Sequence, residues 1–119
     1  MPVDPKACVR ISAFHWVPPF AQGYVRDLRV RWALEEASIP YAVRKLNAAA
    51  DRPADYFEEQ PFGQVPSYRD GNISLFESGA IVLHIGRDHE VLLPPDEAAR
   101  ARATAWLIAA LNSVEPFVM

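Results

Sequence analysis

The succession of strand, helix and strand over residues 8–46 constrains this chain more than any other feature. Cys8-Val9-Arg10-Ile11-Ser12-Ala13-Phe14 is short and densely apolar, the pattern of a buried strand. His15 to Gly23 reads as a loop, because Pro18, Pro19 and Gly23 punctuate it. From Tyr24 to Ala37 the apolar residues Val30, Ala33, Leu34 and Ala37 recur at i, i+3, i+4 and i+7, one face of a helix. Arg26, Asp27, Arg29, Arg31, Glu35 and Glu36 fill the polar remainder, with Arg31 and Glu35 spaced for a weak pair. Pro40 stops this helix, since the residue before a proline is pushed out of helical geometry. Tyr41-Ala42-Val43-Arg44-Lys45-Leu46 is the second strand. A βαβ unit of this kind crosses over right-handed and pairs its strands in parallel.

Beyond it the pattern changes. Pro53 to Glu59 predicts a short helix. Val65 to Arg69 and Ile73 to Phe76 predict two strands, joined through Asp70-Gly71-Asn72, residues that tolerate positive φ in a hairpin turn. Ser78 to Gly86 is an almost wholly apolar helix, interrupted only by His84. Asp88 to Pro95 reads as a linker. Asp96-Glu97 opens a last helix with negative charge where the helix dipole favours it. Ala99, Ala103, Trp106, Leu107, Ala110, Leu111 and Val114 give that helix an apolar stripe. The expected class is therefore α/β: β-α-β-α-β-β-α with a four-stranded mixed sheet, helices on both its faces, and one further helix. The expected division is 1–87, a linker at 88–95, and 96–119. Phe14, Val30, Leu34, Val43, Leu75, Ile81 and Ile85 are its expected core.

Composition excludes several classes of function. The 119 residues are half hydrophobic and under a quarter charged, with 12 basic and 15 acidic residues interspersed for a net charge of -3. No basic stripe suits nucleic acid, and no apolar run is long enough to span a membrane. The first residues lack the continuous apolar core of a signal peptide, which points to the cytoplasm. Cys8 is the sole cysteine, so no internal disulfide or CxxC redox pair is available, and it reads as a buried structural thiol. His84 reads as a core histidine with a hydrogen bond, His89 as exposed, and Trp106 as a packing residue. No spacing suggests a metal site.

Two features carry candidate chemistry. Pro66 either starts an edge strand in the trans form or shapes a tight turn in the cis form. Glu77 and Ser78 are either a solvated charge and a helix cap, or a carboxylate and hydroxyl gathered at a helix start, where anions bind.

Gln60-Pro61-Phe62-Gly63-Gln64-Val65-Pro66, then Asp70-Gly71, then Leu75-Phe76-Glu77-Ser78-Gly79-Ala80-Ile81 resemble the signature of the glutathione S-transferase family. Val30-Arg31-Trp32-Ala33-Leu34-Glu35-Glu36 resembles the family's first helix. This similarity implies a thioredoxin-like N-terminal domain, followed from Asp96 by the first helix of the family's helical C-terminal domain. It implies a cis Pro66, with the backbone of Val65 pairing with the cysteinyl part of glutathione. It implies that Glu77 meets the γ-glutamyl ammonium and Ser78 its carboxylate, with Gln64 adding a contact. The family activates the thiol with a tyrosine, serine or cysteine near the start of that first helix. Tyr24 falls nearest that position, and Arg26 is the second candidate; Ser12 and His15 rank below them. The loop from His15 to Gly23 is longer than the family's and holds no Ser-Pro or Cys-Pro pair. The implied function is transfer of glutathione's sulfur to a small electrophile by a cytoplasmic homodimer, with glutathione as co-substrate and no metal. A binding protein without chemistry, or a glutathione-dependent disulfide reductase, are the alternatives. Members of the family continue for several more helices, so the resemblance also implies that these residues are a fragment, or that a second chain covers the last helix.

Overall fold

A computed structural model describes residues 2–118. Four strands, β1 (Val9–Phe14), β2 (Tyr41–Leu46), β3 (Ser67–Asp70) and β4 (Ile73–Phe76), form one sheet in the order β2-β1-β3-β4. β1 and β2 are parallel, and β3 is antiparallel to both β1 and β4. The helices are α1 (Asp27–Glu36), α2 (Tyr56–Glu59), α3 (Ser78–Gly86) and α4 (Glu97–Ala109). This is the expected thioredoxin-like arrangement with a further helix.

Alternation along β1 distributes the two layers. Val9 and Ile11 join Val30, Leu34, Ile81 and Ile85 in the main core beneath α1 and α3. Phe14 packs on the opposite face with Leu46, Tyr56 and Val65, and there Arg10 pairs with Glu59 of α2. Of the expected core, Val30, Leu34, Ile81 and Ile85 are fully buried, whereas Phe14, Val43 and Leu75 lie partly buried at its edges. Asp70 pairs with Ile73, so the hairpin turn is Gly71-Asn72, with Gly71 at φ +60. A glycine is favoured there because a side chain is strained in that region.

Several boundaries and placements differ from expectation. α1 begins at Asp27 rather than Tyr24, because the chain turns at Gly23 (φ +85) and passes through Tyr24 to Arg26 in irregular turns. Arg31 pairs one turn back with Asp27, at 3.0 Å, rather than forward with Glu35. α2 is a single turn, and β3 starts at Ser67, since Pro66 has no N–H to offer a ladder. Cys8 is exposed, not buried: it stands just ahead of β1, outside the sheet. His84 makes no hydrogen bond through Nε2; it packs edge-on against Tyr68, and burial lowers its pKa. His89 is half-buried rather than exposed. Trp106 is 76% exposed and α4 buries no residue fully, since its main helix contact is with α3 and its stripe is wider than that contact.

A buried chain of hydrogen bonds fixes the segment before β3. Tyr56 donates its hydroxyl to the Gln64 carbonyl, so Ser12, 2.7 Å from Tyr56 Oη, must donate to that oxygen. Ser12 Oγ in turn accepts the Ser67 N–H at 2.7 Å and the Ser67 hydroxyl at 3.0 Å. Ser12, a minor candidate for thiol activation, is completely buried and belongs to this network. Ser12→Ala leaves the buried Ser67 N–H without a partner. We expect it to cost about 1–3 kcal/mol in chemical denaturation while preserving the fold by circular dichroism.

Candidate functional site

The segment anchored by Ser12 and Tyr56 contains the cis Val65–Pro66 bond and forms one wall of a cleft of about 240 Å³. Gln60, Gln64, Val65 and Pro66 line that wall. Arg26 and Arg29 line the α1 side. Glu77 and Ser78 line the start of α3, and Leu111 and Glu115 close the cleft from the end of α4. Pro66 and Ser78 are buried, while Arg26, Gln64 and Glu77 are exposed.

Glu77 turns the chain from β4 into α3 at φ +75, a conformation that costs a non-glycine residue on the order of 1–3 kcal/mol. No side chain caps α3, so the partial positive charge at its start stays uncovered by protein. Ser78 is the first residue of the helix, not its cap, and its Oγ accepts a hydrogen bond from Arg29 Nη1 at 3.1 Å.

Glu115 follows a π turn (Ala110–Val114) that extends α4 and opens a final 3-10 turn (Glu115–Phe117). Its carboxylate accepts Arg26 Nε at 3.2 Å and Arg26 Nη2 at 2.7 Å through one oxygen. The other oxygen accepts Arg29 Nη2. The Arg26 hydrogen bond, reinforced by Arg29, holds the Glu115 carboxyl below its usual range despite its burial. Close approach of this end to α3 depends on Gly79, where an added Cβ would lie 2.6 Å from Leu111 Cδ1.

Of the residues singled out in the sequence, Arg26, Gln64, Val65, Pro66, Glu77 and Ser78 therefore share one cleft. Tyr24 does not line it. It is 66% exposed and lines an adjoining cavity of about 250 Å³, which shares Arg26, Gln64 and Val65 with the first. His15 is exposed, with Nδ1 3.0 Å from the Leu46 carbonyl, and lines neither cavity. Sequence reasoning missed Arg29, Gln60 and Glu115. Arg29 sits on the polar face of α1 with no local mark, and Glu115 meets it across 86 residues of chain. Among the described residues, no group of acidic, histidine or cysteine side chains is gathered as a metal site. Among the described residues, no helix is long and apolar enough to cross a membrane.

The described geometry has close counterparts. Residues 20–87 match the family profile described as glutathione S-transferase, N-terminal domain. Glutathione S-transferase 4 of Zea mays is 30% identical over 111 residues, covering 89% of this chain and 47% of that protein. The structure of glutathione transferase F2 from Populus trichocarpa superposes with a TM-score of 0.77 at 28% identity, covering 91% of this chain and 50% of that one. A theta class glutathione S-transferase from Xanthomonas axonopodis, solved with glutathione bound, gives 0.73 at 25% identity, covering 90% of this chain and 50% of that one. The chain thus spans about half the length of these relatives. With the family's profile matched over most of its length and the same fold in those structures, this chain belongs to the glutathione S-transferase family.

Proposed function

We propose that the chain forms the glutathione-holding part of a glutathione S-transferase, with residues 1–87 as the glutathione-binding unit and 96–119 opening a helical domain. The observation that carries this is the convergence of Arg26, Gln64, Val65, Pro66, Glu77 and Ser78 on one cleft at the uncapped start of α3. An extended tripeptide with an ammonium and a carboxylate at its γ-glutamyl end matches that distribution of charge. The Glu77 carboxylate takes the ammonium. The Ser78 hydroxyl and the start of α3 take the carboxylate. The backbone of Val65 pairs with the cysteinyl segment as an added strand does, and Gln64 supplies a polar contact.

Seated this way, the cysteinyl sulfur lies toward the adjoining cavity, where Tyr24 and Arg26 line the wall. The thiolate, not the thiol, is the nucleophile. Tyr24 donates its hydroxyl hydrogen bond to the thiolate, and the Arg26 cation favours loss of the thiol proton to solvent. The sulfur's electron pair then forms a bond to the electrophilic carbon of a small co-substrate as that carbon's leaving group departs with its own pair. The partners are glutathione, that electrophile and a second copy of the chain. The exposed Phe62 and Phe76, edge to face at 6.2 Å between centroids, support an interface there. The proposed compartment is the cytoplasm.

Calorimetry with glutathione is the direct test; no detectable heat or competition at millimolar ligand overturns the assignment. Ser78→Ala is expected to weaken binding about tenfold, the usual consequence of losing a hydrogen bond to a charged group. The role of Tyr24 is read without any electrophile, from the ultraviolet absorbance of the bound thiolate against pH. In Tyr24→Phe the midpoint is expected to move up toward that of a free thiol, about 8.5. An unchanged midpoint removes Tyr24 from thiol activation.

A further inference from the structure

The loop between β1 and α1 has a structure of its own. Pro19–Ala21 form a 3-10 turn, Gln22 Nε2 donates back to the Val17 carbonyl at 3.4 Å, and Gly23 turns the chain at φ +85. Between this loop and α1 lies a cavity of about 220 Å³ that shares no residue with the cleft. Phe14, Val17, Val25 and Leu28 give it apolar walls, and Asp27 and Arg31 of α1 are the charged groups that line it. We propose that this cavity binds a small apolar molecule with an uncharged amide head, whose N–H meets Asp27 and whose carbonyl meets Arg31. The site is separate from the one assigned to glutathione, although Phe14 and Val25 also border the cavity beside Tyr24.

Asp27 sets the chemistry of the head. It is 7% exposed, and burial raises its carboxyl above the usual range although Arg31 Nε lies 3.0 Å away. That contact is close but poorly aligned, and the buried Nε is left without a hydrogen bond. Besides Arg31, the charge on Asp27 is eased by its own backbone N–H alone, so acceptor sites on the carboxylate stay open. Among the described residues, no hydrogen bond engages the two terminal nitrogens of Arg31. An acceptor and a donor with capacity to spare therefore stand side by side, one helical turn apart. An ammonium head would satisfy Asp27 and meet like charge at Arg31; a carboxylate head would do the reverse. An amide carries its N–H and C=O on neighbouring atoms and adds no charge, so it satisfies both. Apolar walls with a few convergent polar groups, one of them a buried acid with a displaced pKa, are the usual make-up of a small-molecule site.

Ligand-observed NMR on the full chain, with glutathione saturating, compares benzamide, benzoate and benzylamine as probes. Benzamide is expected to bind about tenfold more tightly than either charged probe, which forfeits one hydrogen bond to a charged group. Arg31→Met keeps a long stem and removes the cation, so the order should change in favour of benzylamine, which then meets Asp27 alone. Asp27→Asn should change it in favour of benzoate, and decides the matter if Arg31→Met does not fold. Equal or undetectable binding of the three probes by the wild type overturns the proposal. So does displacement of benzamide by glutathione, or an order of preference that the variants leave unchanged.

Discussion

The cleft depends on a hydroxyl buried inside the sheet. Ser12 occupies a position on β1 where alternation would allow an apolar side chain, and it uses that place to hold Tyr56 on one side and Ser67 on the other. Because Tyr56 passes its own hydrogen to the Gln64 carbonyl, the chain of bonds runs from β3 through β1 to α2 and back to the segment that forms the cleft wall. Buried hydrogen-bond chains of this kind are cooperative, and a break leaves a costly unpaired group. Their value here is positional: the irregular backbone around Val65–Pro66 has no ladder of its own before Ser67, and this network supplies the registration that a strand would otherwise give it.

The opposite wall is built on a different principle. Glu77 holds an unfavourable backbone conformation, and α3 starts without a cap. Both features cost stability in isolation, and both leave a polar surface turned toward the cleft. Conformations of this kind concentrate at sites where geometry is used rather than merely tolerated. Gly79 follows immediately, and its missing side chain admits Leu111 and with it the end of α4. One turn of α3 thus starts without a side-chain cap and admits the end of α4, which is how Glu115 reaches Arg26 and Arg29.

Much of this was legible from sequence because it is local. The βαβ pattern and the Gly71 hairpin depend on neighbours a few residues apart, and the strands and α3 lie where those patterns put them, while the cleft residues between Gln64 and Ser78 were marked by the resemblance of the Gln60 to Ile85 stretch to the family signature. What was hidden depends on contacts between distant segments or on solvent access. Tyr24 reads as helical by periodicity, but the turn at Gly23 holds it outside α1 and beside the cleft rather than in it. Cys8 reads as buried from its apolar neighbours and Trp106 as packed from the stripe it belongs to, yet one precedes its strand and the other borders a cavity beside α3 while staying mostly exposed. Arg29 and Glu115 carry no local mark at all; nothing in their surroundings along the chain distinguishes them from solvated charges on a helix face.

The charge balance of the cleft follows from these placements and bears on what it can hold. Arg26 and Arg29 are offset by Glu115, and Glu77 stands apart with no salt bridge to any described residue. A ligand carrying an anion alone would leave Glu77 uncompensated, and a cation alone would leave the start of α3 unanswered. A ligand end bearing an ammonium and a carboxylate a few bonds apart meets both demands without adding net charge.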